Sequence, residues 1–546
     1  MALGTIASRL TGFLRVIAMA AALGISLPDG VADPYNLANT TPNIVYELLL
    51  GGVLTSVVVP LLVQAAHDDE DGGDTVAQLL LSLVVVVLGV AVAVGLVAAP
   101  LLAALLGTDP GPERELTTTW LRFFLPQIAF YGVGATITAI LNTRRRFGVP
   151  MAAPILNNLV VIATALIFIT LDGPRPPTAA GLTTTQLTVL GIGTTLGVVV
   201  MTAALLPTLR ATGFRWRWRF GRHPALRRAA RLASWVFVYV VANQIALLVI
   251  LRLAKRAVDG GATAYQYGFL LFQLPHAVVT VSVVTALLPR MSADAVTGDL
   301  AAVRVDLARA ARLVAVVLVP AAFAYVVLGP RIAQLVFQYG VTSADQAQFA
   351  GHVLTAFACG LLSFSAFHLL LRVSYALQDS RTPALINIAS NTVNVVVDLA
   401  LFAALDGRNR VVGLAAGHAV AYTVGTLLLG RQVRRRLGGI GAPGVLRTVV
   451  RAAVAAAIGA LGAWGTSRLL VSTLGTGQPA VATAVVGALV VGGFLYVVSA
   501  RRMRVRELEI FANIVRGALR RSPGRPSDGT PEGSSPTADR SMLPDE

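Results

Sequence analysis

Apolar runs of roughly twenty residues, each closed by a short polar interval, recur from one end of this chain to the other. That length suits bilayer-crossing α-helices, because about 20 residues rising 1.5 Å each match the hydrocarbon core. The pattern predicts helices near 3–27, 36–64, 79–105, 120–142, 150–171, 184–207, 233–254, 264–288, 310–328, 347–376, 383–404, 411–429, 449–471 and 479–499. The expected fold is an all-α polytopic membrane protein of about fourteen transmembrane helices.

An internal repeat is visible within that pattern. SVVVPLL closes the second predicted helix at Pro60 and TALLPRM closes the eighth at Pro289, an offset of 229 residues. FGVPMAAPILNNLVV and SRTPALINIASNTVNVV open the fifth and eleventh, with Pro150 and Pro383 separated by 233. Two such similar offsets predict a duplication of six helices. Because six is even, both lobes face the same way, related by a pseudo-two-fold axis along the membrane normal and enclosing a central cavity. The predicted organisation is an N-terminal lobe at 1–212 and a C-terminal lobe at 213–436 that starts with a basic cytoplasmic segment. Helices thirteen and fourteen occupy 437–505, and a basic stretch with a disordered Pro-, Gly- and Ser-rich tail occupies 506–546.

Charge orients this bundle. The dense arginine clusters at 144–146, 213–231, 431–436 and 501–507 all fall on the side that holds the N-terminus, and cytoplasmic loops collect Lys and Arg. Both termini are therefore expected in the cytoplasm. The acidic loop at 67–74 also falls inside, where acidic residues weigh little. A net charge of +17 raises nucleic acid as a partner, but the arginines sit at the ends of apolar runs without a nucleic-acid-binding motif, so none is expected. The single cysteine, Cys359, reads as a packing residue in an apolar run. Lys255 is the only lysine and Arg256 follows it, so the phosphate loop G-x-x-x-x-G-K-[ST] is absent. No hydrolase or zinc-protease motif occurs and the six histidines are scattered, so neither enzymatic chemistry nor a cofactor is expected.

Charges inside the membrane zone are the candidates for function, since each costs about 2.5–3.5 kcal/mol at a helix centre unless it finds water or a partner. In the first helix these are Arg9 and Arg15 of SRLTGFLRV, with Asp33 at the start of the second. Six helical residues separate the arginines by about 9 Å and 120° of rotation, and Gly12 lets a ligand or a neighbouring helix come close. Guanidinium forks bind phosphate oxygens in pairs and keep their charge, so the implied substrate is anionic, a diphosphate being suited. The eleventh helix places Asn387, Asn391, Asn394 and Asp398 within three turns. Asn391, Asn394 and Asp398 share a face, as hard oxygen ligands for a small cation or as interhelical hydrogen-bonding groups.

SRLTGFLRV, DPYNLANTTPN, ILNTRRRFGVPMAAP, LVFQYGVT and YALQDSRTP, spread in order along the first twelve helices, together resemble the MurJ/MviN lipid II flippases of the multidrug/oligosaccharidyl-lipid/polysaccharide exporter superfamily. The resemblance implies a bacterial cytoplasmic-membrane protein that moves undecaprenyl-diphosphate-linked peptidoglycan precursor to the outer leaflet by alternating access. It also implies a lipid-tail groove at helices thirteen and fourteen, and partners among bilayer lipids and the proteins of wall synthesis and division. Carried over by motif, Arg9, Arg15 and Asp33 are substrate-binding, with Ser8, Gly12 and Asn39 beside them in the same motifs. Asn394 and Asp398, with Asn391, resemble a cation-coupling site for sodium or protons. The chain departs from the family pattern at Tyr46 and Glu47, at Leu270 where many members carry a cavity arginine, and at His418. Export of another lipid-linked oligosaccharide or a drug, and a non-transporting scaffold role, remain alternative readings.

Overall fold

The computed structural model describes residues 2–47, 62, 65, 73–221, 224–505 and 507–508. Over these the chain is helical, with one isolated bridge between Gly30 and Thr178. The first half holds α1 (Ala2–Leu23), α2 (Ala32–Glu47), α3 (Asp74–Leu105), α4 (Pro112–Phe124), α5 (Gln127–Thr143), α6 (Gly148–Thr170), α7 (Thr184–Ala203) and α8 (Leu205–Ala211). An extended segment leads to α9 (Pro224–Ala257), α10 (Gly261–Pro275), a π-turn at His276–Thr280, α11 (Val281–Val296) and α12 (Leu300–Phe337). Then follow α13 (Ala344–Ala358), α14 (Leu361–Ala376), α15 (Arg381–Ala404), α16 (Arg408–Leu437), α17 (Ala442–Leu474) and α18 (Gln478–Arg502).

Among the described residues eleven helices are long and apolar enough to cross a membrane, or twelve if the bent pair α13 and α14 is one span. The expected fourteen also includes α1 and α2, the latter described only to Glu47. Pro60, the acidic stretch 67–72 and the tail from Ser522 lie outside the described residues.

Several boundaries differ from the hydropathy pattern for identifiable reasons. The span expected at 120–142 begins at Pro112 and breaks at Pro126, whose missing N–H cannot continue the ladder. The span expected at 310–328 runs from Leu300 to Phe337, because the Asp299 side chain caps it by accepting from the Ala302 N–H. The single helix expected at 347–376 is two helices bent by 55° around Cys359 and Gly360, and Cys359 is exposed there rather than packed. The 431–436 cluster forms the last turns of α16, where arginines complement the helix dipole.

One apolar core runs through both halves and includes Leu23, Trp120 and Phe124 with Leu251, Phe337 and Phe357. Lipid offers side chains no less apolar a neighbour than protein does, so helix association here rests on close packing. Glycines supply it: a Cβ on Gly193 would lie 2.2 Å from Thr164 Oγ1, and one on Gly459 would lie 2.6 Å from the Gly492 carbonyl oxygen. Outward faces keep their apolar residues for lipid, as with Val97, 84% exposed on α3.

Candidate functional site

The first helix carries its polar residues on faces that meet α6. Asn158 Nδ2 donates to the Ser8 carbonyl oxygen at 3.2 Å and to Thr11 Oγ1 at 3.1 Å. A Cβ on Gly12 would meet Asn158 Nδ2 at 3.4 Å, so this glycine admits the neighbouring helix. Asn158 belongs to the NNLV stretch quoted for its proline, and only the fold shows that it clamps α1.

Arg15 lines a cavity of about 50 Å³ together with Tyr35, Asn36, Asn39, Gln127 and Asn157. That volume holds a few water molecules and no diphosphate-sized group. Arg15 makes no hydrogen bond or ion pair among the described residues, and no acidic side chain lines the cavity beside it. Arg9 is exposed and is not among the residues lining that cavity. The two arginines therefore do not line one wall in this state.

Asp33 sits elsewhere, in a seam that joins the halves at the end of the bundle away from the N-terminus. It is 2% exposed, and its Oδ1 accepts from the backbone N–H of Thr263 at 2.8 Å and from Thr263 Oγ1 at 2.7 Å. Thr263 lies in the first turn of α10, so a carboxylate from α2 caps a helix of the other half, where N–H groups lack partners and the dipole favours negative charge. The adjacent contacts repeat the theme. Ser26 Oγ donates to the Asp259 carbonyl oxygen at 2.5 Å, Val341 N–H to Ala21 O at 3.0 Å, and Lys255 Nζ lies 3.0 Å from Glu113 Oε1. Gly260 and Gly340 have φ of +74° and +59°, and a Cβ on either would lie about 2 Å from a carbonyl oxygen of α1 or the loop after it. Sequence reasoning did not find this seam, whose partners are more than 140 positions apart.

The α15 cluster divides in two. Asn387 and Asn391 both donate to Asn243 Oδ1 of α9, at 3.3 and 3.0 Å, which is interhelical bonding. Asn394 Nδ2 donates to Asp398 Oδ2 at 2.7 Å, and Asp398 is fully buried with Oδ1 unpartnered. That unpartnered oxygen faces Gly417 of α16, where a Cβ would lie 1.9 Å away. Three histidines expected to be scattered come together nearby: the rings of His276, His368 and His418 lie 4.7, 4.4 and 5.9 Å from that of Phe364. Among the described residues no group of three or more His, Cys, Asp or Glu side chains is arranged to hold a metal.

With this geometry in view, the chain was compared with known proteins. The family described as "Lipid II flippase MurJ" matches residues 19–485. A probable lipid II flippase MurJ of Rhizobium meliloti (strain 1021) is 29% identical over 432 residues, 78% of each chain. The lipid II flippase MurJ of Burkholderia cenocepacia is 28% identical over 471 residues, 83% of this chain and 86% of that one. A solved structure of a lipid II flippase MurJ in an inward closed conformation superposes with a TM-score of 0.74 at 18% identity, covering 93% of this chain and all of that one. An inward-facing multidrug resistance MATE family transporter of the MOP superfamily gives 0.65 at 13% identity over 80% of this chain and 96% of that one, a likeness of fold.

Proposed function

This chain belongs to the lipid II flippase MurJ family, and from that premise we propose that it carries lipid II across the membrane by opening and closing the seam between its halves. It is a multi-pass membrane protein and a lipid II flippase, serving peptidoglycan synthesis; the family match over residues 19–485 is the observation that carries this reading. The direction is inner to outer leaflet, with the N-terminus and the arginine clusters in the cytoplasm and the seam on the outer side. The protein then rests closed to the outside, and substrate arrives from within at Arg9 and, as the cavity widens, at Arg15. The transport itself makes and breaks no covalent bond in the substrate, so the chain acts as a carrier rather than an enzyme.

Expression in a flippase-depleted bacterium tests the reading. The chain should restore growth, and Arg15→Ala at equal membrane level should fail, since losing one charge-assisted contact removes about 1.5–3 kcal/mol of anion binding. Full rescue by Arg15→Ala would remove that arginine from the substrate path. Asp398 is the proposed coupling group, because a buried carboxylate without a counter-charge gains from taking a proton or a small cation. Transport driven by a sodium or proton gradient should lose its dependence on the gradient in Asp398→Asn, and an unchanged dependence would exclude this residue.

A further inference from the structure

Beside the π-turn lies a cavity of about 370 Å³ whose polar end is formed by His276, His368 and Arg372 and whose wall includes Thr280, Val284 and Leu288. No acidic side chain lines it. His276 Nδ1 lies 2.9 Å from Ser365 Oγ, and His368 Nδ1 lies 2.9 Å from the Phe364 carbonyl oxygen. Each ring is thus held through one nitrogen; with Ser365 donating to His276, the His276 Nε2 carries the proton and is a donor, whereas His368 Nδ1–H donates to the carbonyl and leaves its own Nε2 an acceptor. The two rings are 5.1 Å apart, and of the two only His276 offers an anion a donor. Arg372 is exposed and makes no hydrogen bond or ion pair among the described residues, so its fork is unspent.

We propose that this cavity is a second anion subsite, taking a phosphate of the lipid-linked diphosphate through Arg372 and His276 while the hydrocarbon chain lies along Val284 and Leu288. The proposal rests on the flippase reading and deepens it. It supplies in α14, through Arg372, the positive charge that Leu270 withholds from α10, and at the π-turn a neutral hydrogen-bond donor, His276.

The test uses the purified full-length chain in nanodiscs of zwitterionic lipid, titrated with farnesyl diphosphate, alone and with phosphatidylglycerol added as competitor. Wild type should bind, Arg372→Gln and His276→Ala should each weaken binding by about tenfold, and phosphatidylglycerol should compete poorly. Arg372→Lys, which keeps the charge and loses the fork, should fall between, and serves if the Gln variant unfolds. Binding by both variants within about twofold of wild type, with Arg9→Ala still weakened, overturns the second subsite and leaves the flippase reading standing. Competition by phosphatidylglycerol at equal concentration assigns the site to bilayer headgroups and overturns the substrate claim. Failure of the wild type to bind farnesyl diphosphate overturns both.

Discussion

Arg15 and Asp33 stand out in the sequence for the same reason, an ionised group where lipid is expected, yet the fold uses them differently. Arg15 is left without a protein partner in a small polar cavity, whereas Asp33 spends one oxygen on the N-terminus of a helix from the other half. Hydropathy registers both as misplaced charges and cannot separate them, because what distinguishes them is a partner 230 positions away. The difference is testable. In a Cys359→Ser background, a cysteine at fully buried Val31 should react slowly with an impermeant maleimide, and adding Asp33→Ala should speed it by about two- to thirtyfold. That range is the 0.5–2 kcal/mol cost of losing a helix cap. An unchanged rate, at equal membrane level, would remove Asp33 from the closure of the seam.

Helices were legible from the sequence almost wherever an apolar run met a polar interval, and illegible where a span carries its own polar interruption. Pro126 splits one expected helix and the Cys359–Gly360 corner bends another, because a window averaged over about twenty residues is blind to a single missing hydrogen bond. One close approach depends on a small residue: Gly417 of α16 packs directly against Asp398. Gly417→Ala should then overpack that contact at a cost of about 1–3 kcal/mol, read as a lower unfolding midpoint in detergent. An unaltered midpoint would mean that α15 and α16 have slack. In the segment 215–219 the Trp216 and Trp218 rings lie 4.7 Å apart, tilted by 47°, and the Arg215 carbonyl oxygen accepts from Gln78 at 2.8 Å, which ties the exposed aromatics to α3.

For the molecule as a whole, the all-helical membrane fold followed from the spacing of apolar runs and the family from five motifs taken together. What joins the halves did not follow, because Asp33 with Thr263, Ser26 with Asp259 and Ala21 with Val341 are each short polar contacts between residues more than 200 positions apart. Those contacts add hydrogen bonds between the halves at the end of the bundle away from the N-terminus, beside the apolar core that both halves share. The direct test is leaflet-resolved labelling of lipid II in vesicles containing the purified protein, with and without an imposed ion gradient or potential. Lipid II should move to the far leaflet with wild type and stay behind with Arg15→Ala, and equal movement in protein-free vesicles or with the variant would contradict carriage by this chain through that cavity.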